Sequence, residues 1–336
     1  MSITGLGPHG EKAAAPERLI LTEAEADAAR ARRFTVAVVL HTMASDWAKQ
    51  QLAGIVATLG RFAAVVVEVV DCGFNIKAQV EALDRLSRER PDAVISIPIA
   101  NAAVAEAHRN VSHAGIKLVL LDNAPTGLLP GTDYATLVSA DNFGLGQIAA
   151  SLLSPHLLVG GIVGILAYGV DFFVTNEREI AFRKWMGNER PDLVIKHAKF
   201  AAVERAAQAI ETLLIAQPKL SGLFVVWDEP AMHAVPVLRQ FARPLPMTTI
   251  DLGNAAAIEL ASGQILKGIG AQQPYDQGTA VAMATVIALI GREPPPWVAL
   301  PGLSVSTKDV IEAYQVIWHA PAPSELIKAW RDTAAR

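Results

Sequence analysis

Acidic and amide side chains recur along this chain directly after runs of aliphatic and β-branched residues. They stand at Asp71 to Asn75, Asp122-Asn123, Asp141-Asn142, Asp171 to Asn176, Trp227-Asp228, Asp251 and Gln272-Gln273. Aromatic residues accompany them, with Trp47 following His41, Phe172-Phe173 before Asn176, and Trp227 beside Asp228. Carboxylates accept hydrogen bonds and amides both accept and donate, so together they engage adjacent hydroxyls in pairs. An aromatic face covers the apolar C–H side of a sugar ring. Gathered in one cleft, these groups suit a small neutral sugar or polyol. A phosphate or carboxylate ligand would instead call for Arg, Lys or a glycine-rich helix N-terminus.

Each position also has a plainer reading. An Asp or Asn after a strand is often a helix N-cap, and Trp47 at a helix start reads equally as core. Phe172 and Phe173 should split, one packing inward and Phe173 facing the cleft. Trp227-Asp228 resists the plain reading, because a buried strand ending in an indole and a carboxylate needs partners for both. Recurrence in both halves of the chain carries the argument.

Catalytic signatures are missing from the 336 residues: no G-x-S-x-G, no P-loop and no H-E-x-x-H. Gly5–Gly10 matches G-x-G-x-x-G but follows no strand. Gly144–Ala149 (GLGQIA) matches better, yet Asn142 should already have started a helix that buries those glycines. The eight histidines are scattered, and Cys72 is the single cysteine, which rules out an internal disulfide and multi-cysteine metal sites. The expectation is a protein without catalytic residues, metal or cofactor, and so not an enzyme. A net charge of −4 with no long basic run argues against nucleic acid as a partner.

The elements that must position these groups follow from the hydrophobic rhythm. Apolar residues are 51% and charged residues 18%, enough for a large core, and the length suits two lobes rather than one. Residues 34–41 (FTVAVVLH) read as a buried strand. Residues 45–60 read as a helix with Leu52, Ile55, Val56 and Leu59 on one face. Strands and helices alternate from there to residue 122, and the pattern restarts near residue 135 and runs to residue 271. The prediction is α/β, with two doubly wound parallel-sheet lobes. Residues 11–33, rich in Ala, Glu and Arg, read as a solvated tail with a helical turn or more. Met1 to Arg33 contains no apolar stretch of secretory-signal length.

In the same order and spacing, residues 42–51 (TMASDWAKQQ), 120–123 (LLDN), 138–142 (VSADN), 171–178 (DFFVTNER), 226–229 (VWDE), 249–253 (TIDLG) and 270–278 (GAQQPYDQG) resemble the ribose-type periplasmic sugar-binding proteins. These are the solute-binding components of ABC importers, with the type I periplasmic-binding fold. The resemblance implies a three-segment hinge near residues 139–141, 272–274 and 300–304. The N-terminal lobe would hold residues 34–139 plus 273–300, the C-terminal lobe 140–272 plus 301–336, and residues 1–33 a tail. Carried over by position, the family's ligand contacts fall on Asp122, Asn123, Asn176, Trp227, Asp251 and Gln272, and Trp47 matches the aromatic after the first strand. The strand-end reading adds Asn75, Asp141 and Phe173. Ribose binders of the family have Arg at the positions of Asn123 and Asn176, and Asn at that of Trp227. Losing two cations and gaining an aromatic points to a different sugar or a linear polyol.

The implied function is capture of a neutral monosaccharide or sugar alcohol by hinge closure, in a periplasmic monomer whose partner is an ABC permease. The alternative is a cytoplasmic sugar-sensing regulator of the repressor type. It would need a DNA-binding helix-turn-helix, for which residues 1–33 offer at most one polar helix.

Overall fold

Most aliphatic runs become buried strands, and the polar residue after many of them becomes the N-cap of a helix. The computed structural model describes residues 3–240 and 245–335. After helix α1 (Glu23–Arg32) come β1 (Thr35–Leu40), α2 (Asp46–Arg61), β2 (Val65–Asp71), α3 (Ile76–Glu89), β3 (Ala93–Ser96), α4 (Ala105–His113), β4 (Lys117–Leu121) and β5 (Leu137–Ala140). A second run follows: α5 (Asn142–Leu153), β6 (Ile162–Tyr168), α6 (Phe173–Glu189), β7 (Val194–Phe200), α7 (Ala206–Ala216) and β8 (Leu220–Val225). It continues through α8 (Asp228–Arg239), β9 (Met247–Ile250), α9 (Asn254–Ser262) and β10 (Leu266–Ala271). The chain closes with α10 (Pro274–Leu289), β11 (Trp297–Leu300), β12 (Leu303–Val305), α11 (Val310–Trp318) and α12 (Ser324–Ala334).

The molecule is α/β, with two lobes each built on a doubly wound sheet. One sheet has the order β11-β5-β4-β3-β1-β2 and the other β12-β10-β9-β8-β6-β7. The first is parallel throughout. In the second, β12 runs antiparallel to β10, a departure from the parallel expectation. It enters that sheet directly from β11 in the other lobe, without the helical crossover that a parallel neighbour needs. Both sheets reverse their winding beside the first strand, between β1 and β3 and between β6 and β8. Ligands bind at the carboxyl ends of strands at such a switch point.

The chain passes between the sheets three times: from β5 to α5, from β10 to α10, and from β11 to β12. Helix α10 returns to the first lobe and packs on α2 so closely that a Cβ at Gly54 would strike the Tyr275 carbonyl. One at Gly278 would strike the carbonyl of Gln51. Among the described residues, no helix is long and apolar enough to cross a membrane.

The solvated-tail expectation for residues 11–33 is corrected. Ala14 bridges to Val298 of β11, its N–H donating to the Trp297 carbonyl at 2.9 Å, and Leu19, Ala26 and Ala29 are buried. Ala26 and Ala29 share one face of α1. Their methyl groups pack flush against the lobe but add little to a hydrophobic pattern, so the segment reads as polar.

Candidate functional site

The carboxyl ends of the two sheets face each other across a cavity of about 70 Å³. From the first lobe it is lined by His41, Thr42, Ser45, Trp47, Phe74, Ile97 and Asp122. The second contributes Tyr168, Phe172, Val174, Thr175, Arg178, Trp227, Asp228, Glu229 and Asp251, with Gln272 at the crossing into α10. Each lobe brings its own aromatic cluster. His41 packs edge-on against Trp47 and Phe74, at ring-centroid separations of 5.5 and 4.9 Å. Trp227 lies 5.2 Å from Tyr168, edge to face, and 5.0 Å from Phe200.

Asp122 and Asp251 occupy equivalent places, the first position past β4 and past β9. Both have left-handed backbone, with φ of 60° and 75°. Asp tolerates this region better than most residues, yet it still costs about 1 kcal/mol. The turn swings each carboxylate off the strand end and into the cavity.

Between them lies Arg178, 3% exposed. Its Nε donates to Asn142 Oδ1 at 2.9 Å, one Nη donates to the Val226 carbonyl at 3.0 Å, and the same Nη stands 3.7 Å from Asp251 Oδ2. Burial lowers the guanidinium's pKa, against the opposing pull of Asp251, Asp122 and Asp228. Burial pushes the Asp122 carboxyl up to about 7, only partly offset by the bond from Gln51 and the charge of Arg178. Asp228, Glu229 and Asp251 are also raised, in each case chiefly by burial. His41 is lowered to about 4 by burial and is neutral.

Behind the cavity an amide relay joins the two lobes. Gln51 Nε2 donates both to Asp122 Oδ2 and to Gln277 Oε1, each at 2.9 Å. Gln277 Nε2 donates to Gln272 Oε1 at 2.9 Å, and Gln272 Nε2 donates to Asp251 Oδ1 at 2.7 Å. All five side chains are buried. Asp122 Oδ1, Gln51 Oε1, His41 Nδ1 and Trp47 Nε1 are left without a hydrogen-bond partner. At the mouth, Asp46 Oδ2 of the first lobe accepts from the N–H and the side-chain amide of Asn254, both at 3.0 Å, and so caps α9 of the second.

Of the residues singled out from sequence, Trp47, Asp122, Trp227, Asp251 and Gln272 line this cavity, and Asn75, Asn123, Asp141, Phe173 and Asn176 do not. Asn75 caps α3 by accepting from Ala78 N–H. Asn123 donates to the Pro98 carbonyl. The Asp141 carboxylate accepts from the N–H groups of Gly144, Thr4 and Gly5. Asn176 donates to Asp171. Phe172, not Phe173, reaches the cavity; Phe173 is the first residue of α6. Two residues on from Asn176, α6 places a cation, Arg178, in the cavity. Sequence reading also missed Gln51, Gln277 and Tyr168. Gly144 and Gly146 lie inside α5, with Gly146 against the Arg178 carbonyl, so they form no phosphate-binding turn. Among the described residues, no three His, Cys, Asp or Glu side chains are grouped so as to hold a metal ion.

A sequence model of the periplasmic binding protein domain matches residues 36–293. The chain belongs to this family. No curated protein matches it in sequence. Several solved structures share its fold. One is a carbohydrate-transporter solute-binding protein from Agrobacterium radiobacter in complex with D-arabinose, at TM-score 0.77 and 17% identity over 85% of this chain and 99% of that one. A second, from Mycobacterium smegmatis with bound glycerol, has TM-score 0.76 and 18% identity over 84% and 96%. A third, from Agrobacterium vitis bound with α-D-tagatopyranose, has TM-score 0.75 and 19% identity over 82% and 96%. At these identities the likeness is one of fold. In this periplasmic binding protein, as the geometry above shows, carboxylates, one guanidinium and aromatic walls converge on a single interlobe cavity.

Proposed function

We propose that this protein is the solute-binding component of an ABC importer, which holds a monosaccharide or sugar alcohol between its lobes and presents it to a membrane permease. The carrying observation is the pairing of Asp122 and Asp251. Equivalent strand ends of the two lobes turn a carboxylate into one cavity, each braced through the relay. Trp47, Trp227 and Tyr168 supply the apolar walls that a sugar's C–H faces need. The sugars and polyols in the related solved structures support the reading.

The solute would bond to both lobes at once. It would therefore favour the closed arrangement by its differential affinity, and the permease would recognise that shape. In this reading residues 34–139 with 273–300 move as one body against 140–272 with 301–336. The protein works outside the cytoplasm as a monomer and carries out no chemistry on its cargo.

Thermal unfolding against pentoses, hexoses, deoxy sugars and sugar alcohols tests the proposal, since a ligand of the folded state raises the midpoint with the logarithm of its concentration. One or two stereochemically related compounds should shift it by several degrees. Asp251→Ala and Asp122→Ala should abolish that shift while leaving the circular dichroism spectrum unchanged. No shift from any compound would sink the proposal.

A further inference from the structure

We infer that the solute carries a positively charged amine on its polyhydroxylated skeleton, as in an amino sugar or an aminodeoxy sugar alcohol. The inference rests on the proposed function and narrows the class of ligand.

The cavity has too many carboxylates for its cations. Asp122, Asp228, Asp251 and Glu229 line it, and among its lining residues only Arg178 brings a permanent positive charge. His41, held to about 4 by burial, contributes none. A groove at the mouth adds Asp46 and Glu204 to Asp228 and Glu229; no Lys or Arg lines it, its one basic lining residue is His233, and Lys49 stands 4.0 Å from Asp46. The lobes already touch through Asp46 and Asn254, so these carboxylates stand in a largely closed cleft.

One oxygen marks where a donor is needed. Asp122 is 2% exposed, its Oδ2 is held by Gln51, and its Oδ1 has no partner. A hydroxyl would satisfy that atom without adding positive charge, whereas a cation would also hold Asp122 ionised, and a buried unpaired ion costs several kcal/mol. An ammonium group supplies three donors and the missing charge together. The aromatic walls suit the same group, because ring faces attract cations. The cation is organic, since no grouping here can hold a metal ion among the described residues. Burial is the main cause of the upward shifts at Asp122, Asp228 and Asp251, and Arg178 offsets it at Asp122 and Asp251 only in part.

Isothermal titration of the full chain with matched pairs tests this: D-glucosamine with D-glucose, D-galactosamine with D-galactose, D-mannosamine with D-mannose, and 1-amino-1-deoxy-D-sorbitol with D-sorbitol. A charged hydrogen bond exceeds a neutral one by enough that an amine should bind at least about tenfold tighter than its hydroxyl parent. Asp228→Asn and Glu229→Gln should each reduce that ratio. As a measurement free of substitutions, the amine's association rate should fall from low to high salt and its parent's should not. If every pair that binds favours the hydroxyl parent or shows no preference, the inference falls and the proposed function stands. The same holds if the association rate ignores salt. If nothing in the panel binds, the inference falls, and the wider thermal-unfolding panel decides the proposed function.

Discussion

Arg178 and Asn176 are two residues apart on one helix, and that spacing sends their side chains in different directions. Asn176 turns out to Asp171, whereas Arg178 turns under the Val226 carbonyl into the cleft. The sequence does hold a signal for Arg178. It continues the buried stripe of Val174, Ala181 and Phe182, where a cation has no business unless acids meet it. Asp122, Asp251 and Trp227 were legible because each ends a strand. Gln51 and Gln277 were not, because a buried glutamine inside a helix looks like a surface one until its partner is known. Replacing Arg178 by Met leaves buried carboxylates without their cation, and should cost about 3 kcal/mol in urea unfolding as well as ligand binding. The pH dependence of Asp122 has a definite sign. Its pKa rises from 3.8 to about 7 in the folded protein, which therefore holds that proton more tightly than the unfolded chain. The stability this confers is whole below 3.8 and is lost as the pH climbs to about 7. Asp122→Asn, neutral at every pH, should raise the urea midpoint of the unliganded protein above neutrality, with the gain shrinking as the solution is acidified.

At the scale of elements, strand and helix periods made the α/β alternation readable, and the N-cap residues Ser45, Asn75 and Asp141 start their helices where the pattern places them. Periodicity could not show which glycines matter. Gly54 and Gly278 let α2 and α10 approach backbone to backbone, and that approach sets Gln51 beside Gln277. Gly60, on the same α2, faces open space. Gly278→Ala should lower stability by about 2 kcal/mol, because the new methyl meets a carbonyl that cannot move without parting the helices. Ligand affinity should fall with it as the relay is displaced. Gly60→Ala should instead stabilise by about 0.5 kcal/mol through helix propensity. Thermal midpoints of the two variants, with and without ligand, separate a packing glycine from an idle one.

For the whole molecule, the proposed closure makes the balance between open and closed forms depend on contacts made only when the lobes meet. Asp46 is one, a carboxylate from one lobe capping a helix of the other, and Tyr314 steadies its partner by donating to Asn254 Oδ1 at 2.7 Å. Asp46→Ala removes the cap, worth about 1 kcal/mol, and should lower apparent affinity about fivefold by depleting the binding-competent form. X-ray scattering of the unliganded variant should show a larger radius of gyration than the parent protein. An unchanged radius and affinity would mean that closure does not depend on this contact. Sequence could not have revealed the pair, since residues 46 and 254 become neighbours only after both lobes have folded and met.

The amide relay obeys a counting rule. A head-to-tail row of amides hands on one N–H per link, so it fits between a donor and an acceptor. This row runs between two acceptors, Asp122 and Asp251, and somewhere along it one amide must face both ways. Gln51 is that amide: it spends both hydrogens, and its carbonyl is left over. One proton on Asp122 repairs the count. Without that proton the row behaves like a chain of spins pinned alike at both ends, with its one domain wall resting on Gln51.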